Sequence, residues 1–573
     1  MMNVMKKRLS ILTCVVLAFT TVSCEEYLDK NIVTTQNEEF TFKAYSNAVM
    51  TAYSVYGDLP NGLEAVWGSE GSAMLAAACD ECEYAIQTHP VQRFNLGSWT
   101  PASMPDNPFT RYYAAVRKVY NFWDNSDKID YSDVKDNPSA PGEYERRLED
   151  IRQLKYEALL LKAYFMLDLI KRFGGVPIVS DRFDPESVDA AEIQRASLED
   201  CVNEIISICD ECAEILPVKQ ADEESGRVTS GTAKAIKAET LLYVASELWN
   251  NTSWADGYAH PELISMPAGD RMARWKAAAD AAKEVIDMAP QAGYVLDTYA
   301  NLFGNAGYSS PEVILCRRMD PSNAFEKVNL PISYDKVTGG NCPTQNIVDM
   351  FQMADGRDFD WNDQQMASYP YSGRDPRLET FVVVNNSYFK SRNVECWTGG
   401  RDGAGVRNCT PTGYYLKKYV YPYSDLTLEQ TSRHTWILIR LAEVYLNYIE
   451  ALNEYSPGHP DIKVYYDMIR TRAGMPGLEA GLTQDKVRQL IRNERAVELC
   501  FEGKRMFDLR RWMEGDVLGQ PVRAVEVGKL SDGSFTYRPY VLEERSFKPQ
   551  MYFYPIPQSE INKMSHWTQN PLW

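Results

Sequence analysis

Helical periodicity that repeatedly stops and restarts is what most restricts the fold of this sequence. Between Arg146 and Phe173 apolar residues fall at Leu148, Ile151, Leu154, Ala158, Leu161, Phe165 and Leu169, the spacing that lines one face of an α-helix. Gly174-Gly175-Val176-Pro177 then ends the pattern, because Gly frees the backbone and Pro cannot donate into a continuing helix. The same signals predict helices over Ser197–Leu216, with a Ser cap and an acidic first turn, over Thr229–Trp249, and over Arg274–Met288, ended by Pro290. Further helices are predicted over Phe42–Tyr56, Thr110–Trp123, Thr435–Tyr455, Asp461–Ala473 and Thr483–Met513. Each carries an apolar face that it cannot bury alone. A stack of degenerate tetratricopeptide-like helix pairs solves that, with small residues such as Ala238 and Ala245 where helices approach closely.

At 573 residues the chain could hold three or four units of ~150 residues, although one helical array can absorb them all. Residues 291–432 read differently. They are rich in Gly, Pro, Asn and Tyr, with short β-prone runs at Glu379–Val384 and Gly413–Tyr419. The predicted fold class is therefore mainly α: an N-terminal helical part (24–290), an irregular, loop-rich insertion with short strands (291–432), and a C-terminal helical part with a tail (433–573). Long irregular segments on a rigid scaffold are where binding surfaces usually sit.

Residues 1–23 read as a secretory signal peptide. Lys6, Lys7 and Arg8 form a basic start, and the apolar run Leu9–Phe19 is too short to span a bilayer, which needs about 20 residues. Thr21-Val22-Ser23-Cys24 resembles the lipobox of bacterial lipoproteins, in which the Cys is lipidated and becomes the mature N-terminus; Thr21 stands where Leu is usual. The acidic stretch Glu25-Glu26-Tyr27-Leu28-Asp29 resembles the signal that sends Bacteroidetes lipoproteins to the outer face of the outer membrane. No other apolar run is long enough to span a membrane, so lipid on Cys24 is the expected anchor. Removing residues 1–23 makes the formal charge of −19 three units more negative. Such a surface repels nucleic acid and anionic headgroups.

Ten cysteines remain besides Cys14 and Cys24. Cys79/Cys82 and Cys209/Cys212 have C-x-x-C spacing, but zinc needs four converging ligands, and His89, His260, His434, His459 and His566 are scattered. Both pairs fall in predicted helices, where positions i and i+3 share an apolar face. No metal site or cofactor is expected; a structural calcium is left open. Cys396 and Cys409 bracket a Gly-rich loop (Gly399, Gly400, Gly403, Gly405) that a disulfide would close outside the cytoplasm.

Several ordered stretches together resemble the SusD/RagB family. Toward the front are Ala73-Met74-Leu75-Ala76, Phe94-Asn95-Leu96-Gly97-Ser98-Trp99 and Arg172-Phe173-Gly174-Gly175-Val176-Pro177. Pro343-Thr344-Gln345-Asn346, Arg374-Asp375-Pro376-Arg377 and Thr412-Gly413-Tyr414-Tyr415 follow. Then come Arg440-Leu441-Ala442-Glu443-Val444-Tyr445-Leu446-Asn447, Asn493-Glu494-Arg495, Phe501-Glu502-Gly503-Lys504-Arg505 and Asp508-Leu509-Arg510-Arg511-Trp512. Pro555-Ile556-Pro557-Gln558 and Thr568-Gln569-Asn570-Pro571 close the series. The resemblance implies one helical fold of four tetratricopeptide-like pairs with an irregular half against them, and no catalysis. It implies capture of oligosaccharides, or of peptides in some branches, at the cell surface of an outer-membrane lipoprotein that covers a SusC-like TonB-dependent transporter.

The residues fit binding better than chemistry. Glu494, Glu498 and Glu502 share one predicted helix face. A retaining glycosidase would need two carboxylates about 5–5.5 Å apart across a cleft. The arginines around them instead predict a paired network that locks the helix to its neighbours. No Ser-His-Asp set, phosphate loop or His-rich motif is present. A sugar needs only an aromatic face for its C–H side and polar groups for its hydroxyls. Among the aromatics in irregular segments the candidates are Trp67, Trp99, Tyr334, Trp361 and Trp397, of which at least one is expected to touch ligand. A peptide-binding version of the same scaffold would favour charged pocket residues.

Overall fold

A computed structural model describes residues 38–180, 190–221, 224–335 and 338–573. The predicted signal peptide and Cys24 lie outside them. Among the described residues the longer helices are α1 (Tyr45–Tyr56), α2 (Phe109–Asn125), α3 (Glu143–Phe173), α4 (Leu198–Ile215), α5 (Ser230–Ala245), α6 (Arg271–Ala292), α7 (Leu441–Tyr455), α8 (Pro460–Arg472) and α9 (Gln484–Glu498). They pack as the pairs α1/α2, α3/α4, α5/α6 and α7/α8, with α9 against α7.

Cross-links tie partners together, and the two between α3 and α4 show that pair running antiparallel. Lys162 near the C-terminal half of α3 reaches Glu204 near the start of α4 at 2.7 Å, while Tyr156 meets Cys212 further along α4. Lys234 pairs with Glu284 at 2.6 Å between α5 and α6, and Tyr448 bonds Asp461 at 2.8 Å between α7 and α8. Caps fix where helices start. Ser197 accepts from Asp200 N ahead of α4, and Thr229 and Thr232 cap each other reciprocally ahead of α5. Two helices are enclosed along much of their length. α3 is buried on all sides from Leu160 to Ile170, and α7 from Leu441 to Asn453.

The structure corrects three helix boundaries and one expected strand. Thr435–Arg440 is strand, not helix: Thr-Trp-Ile-Leu-Ile-Arg is β-branched and aromatic, and it pairs antiparallel with Val313–Arg318. The helix expected over Thr483–Met513 breaks after Glu498, where Phe501 and Gly503 take positive φ, and restarts as α10 (Arg505–Arg511). Pro290 does not end α6, which runs to Ala292 and stops at left-handed Gly293. Glu379–Phe381 closes a short helix, leaving only Val382–Val383 as strand.

The irregular half is tied down by two-stranded sheets. In chain order the strands are β1 (Cys82–Tyr84), β2 (Val313–Arg318), β3 (Asn341–Pro343), β4 (Val382–Val383), β5 (Tyr388–Phe389), β6 (Arg392–Asn393), β7 (Tyr415–Leu416), β8 (Thr435–Arg440), β9 (Val522–Lys529) and β10 (Phe535–Glu543). The pairings are β1/β3, β2/β8, β4/β7, β5/β6 and β9/β10, all antiparallel. Cys82 therefore lies in a strand and Cys79 just after a 3-10 turn, so that C-x-x-C pair is not helical as expected. Cys209 and Cys212 do share the buried face of α4. All ten described cysteines are free thiols, so the Cys396–Cys409 bridge does not form.

Buried ion pairs join the halves. Arg377 from the irregular half meets Asp375, Glu494 and Glu498, the last at 3.0 Å. Arg440 meets Glu312, Glu498 and Glu502 at 2.7–2.8 Å, and Lys418 meets Glu502 at 2.7 Å. Arg470 holds Glu494, and Arg472 holds Glu312 and Glu498. Burial alone would raise the Glu498 carboxyl, but Arg472, Arg440 and Arg377 outweigh it and hold it well below the ordinary range. Glu494 and Glu498 are sealed in the core with cations on their oxygens, and Glu502, which reaches the wall of a cleft, is held by Arg440 and Lys418, so the three do not face one another across a cleft as a glycosidase pair would need.

Candidate functional site

Trp67 is presented by its loop. Val66 and Ala73 exchange two backbone hydrogen bonds, of 2.9 and 2.8 Å, that pinch off the turn between them. The Val66 side chain is wholly buried and successive side chains alternate, so the Trp67 indole points outward, 75% exposed. Gly68 packs directly on the His89 ring, where a Cβ would collide. His89 bonds the Gly71 carbonyl at 3.1 Å and lies against the Tyr84 ring, 4.2 Å between centroids. All twelve tryptophans are among the described residues, and Trp67 alone is exposed.

Trp67 borders a cleft of about 530 Å³ whose walls include Asn61, Glu64, Asn107, Arg111, Lys171 and Arg317. Asn61 accepts from Leu63 N and donates to Glu64 Oε2 at 2.9 Å, holding its segment in a tight turn. Asn107 accepts from Phe109 N at the start of α2. Lys171 pairs with Glu239 at 2.8 Å. The arrangement is an aromatic face beside fixed planar polar groups, which suits a ring with one apolar face and a hydroxylated rim.

Comparison with known proteins bears on this directly. The family model described as "SusD family" matches residues 316–573, and the one described as "Starch-binding associating with outer membrane" matches residues 26–242. The chain belongs to the SusD/RagB family.

Curated SusD-like relatives include two from Formosa agariphila. SusD-like protein P2 is 35% identical over 116 residues, 19% of this chain and 23% of that protein. SusD-like protein P25 is 27% identical over 267 residues, 42% of this chain and 46% of that protein. The matches thus span about a quarter and about half of those relatives' lengths. A SusD-like protein from Bacteroides fragilis superposes with a TM-score of 0.74 at 23% identity, covering 93% of this chain and 98% of that one. A second B. fragilis protein, described as a SusD-like carbohydrate-binding protein, gives 0.71 at 20%, covering 91% and 99%. A laminarin-binding SusD-like protein gives 0.62 at 19%, covering 93% and 100%. These structures share the fold.

Within this SusD/RagB chain the five expected aromatics are not brought together, and only Trp67 lines the cleft. Trp99 is a core residue, 2% exposed, with Phe94, Tyr554 and Trp573 at centroid distances of 4.8–5.0 Å. Tyr334 is also buried, donating to the Phe389 and Arg392 carbonyls, with the Arg392 guanidinium 3.9 Å from its ring centroid. Their segments are irregular, as expected, but the chain folds back over them and leaves no ring face for a ligand; both expectations are corrected. Trp361 is half-buried, donating to Asp349 at 3.0 Å, and Trp397 is half-buried between Phe535 and Lys529.

The sequence reading missed Arg111 and Arg317. Arg111 sits in the first turn of α2, which holds no acidic residue. A cation there opposes the helix dipole, and that misfit was legible. Arg317 carried no signal, because only the β2/β8 pairing brings it to the cleft. A second cleft of about 650 Å³ lies across the Asn61–Glu64 turn, with Tyr53, Tyr56, Arg318 and His434 in its walls, and it shares Asn61, Glu64 and Arg317 with the first.

Proposed function

We propose that this SusD/RagB protein is a non-catalytic, surface-exposed binding protein that captures oligosaccharides at the Trp67 cleft and passes them to a SusC-like TonB-dependent transporter. The observation that carries the reading is the single exposed tryptophan, held by a fixed loop at the mouth of a polar cleft. Carbohydrate and laminarin binding by proteins of the same fold supports it, as does the outer-membrane wording of the matching family. No helix among the described residues is long and apolar enough to cross a membrane. Removal of residues 1–23 and lipidation of Cys24 would supply the anchor. Trp361 and Trp397 lie outside this cleft and have no part in the proposed platform.

The test is binding of the soluble form, residues 25–573, to plant, host and microbial polysaccharides on native affinity gels, with calorimetry on any hit. Retardation by a glycan, lost in Trp67→Ala, supports the assignment. Heat from mixed peptides with silence from every glycan would replace it with peptide capture on the same scaffold. Release of reducing sugar would overturn the non-catalytic part.

A further inference from the structure

The cleft beside Trp67 carries a charge feature that binding of a neutral sugar would leave unused. Arg111 and Arg317 both line it, and neither forms an ion pair among the described residues. Arg111 is exposed and lies 5.0 Å from the Tyr112 ring centroid. Arg317 is half-buried and gives one donor to the Leu59 carbonyl. A guanidinium has five donors, so most of Arg317's are not taken up by protein acceptors.

Three of the four carboxylates of the cleft are paired with cations elsewhere. Asp106 and Asp168 hold Arg172, at 2.8 and 2.5 Å, and Glu502 holds Arg440 and Lys418. Glu64, at the rim, accepts from the neutral Asn61 amide and keeps its charge, which acts on Arg317 without forming an ion pair with it. Asp58, outside the cleft but near Arg317, is taken by Lys118 at 2.6 Å. This contrasts with the core, where Arg172, Arg227, Arg377, Arg440, Arg505 and Arg511 each sit on a carboxylate.

We propose that the captured glycan is acidic, and that Arg111 and Arg317 together hold an oxyanion on it, a uronate carboxylate or a sulfate ester, while Trp67 stacks on a neighbouring ring. The inference rests on the glycan reading above. Two like charges in one half-buried cleft repel, and the single unpaired carboxylate there, Glu64, offsets only part of that cost. Burial first, and then the Arg111 charge, push the Arg317 guanidinium below its ordinary value, and the Asp58 and Glu64 charges offset this only in part. A bound oxyanion removes that repulsion and accepts two-pronged hydrogen bonds, which a sugar hydroxyl cannot do. It also meets Arg111 at the N-terminal end of α2, where negative charge is favoured. A net charge of −19 makes the local cationic spot selective, because the remaining surface repels polyanions.

The test compares soluble protein with polygalacturonate, which carries carboxylates, dextran sulfate, which carries sulfates, and dextran and laminarin, which are neutral. Native affinity gels would screen them at moderate and high salt. The expected result is retardation by an anionic polymer and not by the neutral pair, weakening as salt rises. Which polymer binds separates carboxylate from sulfate recognition. Arg111→Gln and Arg317→Gln should each lower affinity about tenfold or more, and Arg317→Lys should restore part of it, with melting temperatures confirming that the variants fold. Neutral glycans binding alone, with the arginine variants unaffected, would overturn this inference and leave glycan capture standing. Anionic binding that survives both glutamine variants would overturn the assigned residues. Silence from all four polymers overturns this inference, and the broader polysaccharide screen then decides the glycan reading separately.

Discussion

Arg440 and Glu498, 58 residues apart in sequence, meet at 2.8 Å in the middle of the molecule. Each ends its element, β8 and α9, and each is essentially without solvent exposure. Arg440 serves Glu312, Glu498 and Glu502 together, so removing it leaves three buried carboxylates short of one cation, at a cost of about 3–5 kcal/mol. Arg440→Met should lower the free energy of unfolding by that order in denaturant titrations. Glu498→Gln, which leaves Arg440 on Glu312 and Glu502, should cost less. A loss below about 1 kcal/mol in Arg440→Met would mean that the network is not structural.

Trp67 and Trp99 should respond in opposite ways. Trp67→Ala removes an exposed ring, so stability should stay within about 0.5 kcal/mol while glycan affinity falls. Trp99→Ala opens a cavity among Phe94, Tyr554 and Trp573 and should cost about 3–5 kcal/mol. Calorimetry for binding and chemical denaturation for stability read the two effects. Equal stability losses would contradict the burial assigned here.

Glu81 gives the fold a pH dependence. Burial, then the neighbouring Asp80 charge, push its carboxyl up from 4.5 to about 8. Between those values the folded protein holds a proton that the unfolded chain has lost, so stability falls as pH rises. The contribution is complete below about pH 4.5 and gone once pH has passed through about 8. Glu81→Gln keeps an acceptor for Phe501 N and removes the titration. The melting temperature of the native protein should therefore drop relative to Glu81→Gln between pH 5 and pH 9, and parallel curves would refute the raised carboxyl.

The thiols provide a direct check on the cysteines. Nine of the ten are buried and Cys409 is partly buried. A thiol reagent should therefore label Cys409 alone, slowly, in folded residues 25–573, since burial also raises its thiol above the ordinary value. All ten should react in denaturant. Eight in denaturant without reductant would establish a disulfide after all.

Periodicity and punctuation alone determined the helical array. A repeat of three to four residues reports burial of one face, and caps such as Ser197 and Thr229 act on backbone groups two or three residues away. The order of the motifs, from Ala73 through Pro571, placed the chain in its family for the same reason: each is a local string. That the glutamates at 494, 498 and 502 serve a buried ion-pair network was legible, but their partners were not. Arg377, Lys418, Arg440, Arg470 and Arg472 come from other elements, while Arg492, Arg495, Arg505 and Arg511 beside them in sequence pair with other carboxylates. The tertiary structure alone decided what pairs over distance and what faces water. Thr435–Arg440 became a strand because β2 supplied its partner from more than a hundred residues away. Trp99 and Tyr334 went inside because the tail and the Phe389–Arg392 hairpin close over them. Trp67 stayed outside because Val66 is anchored beneath it, and Arg111 and Arg317 became neighbours only when α2 and β2 met at one cleft. Exposure and convergence are sums over the whole packed chain, and no window of sequence contains them.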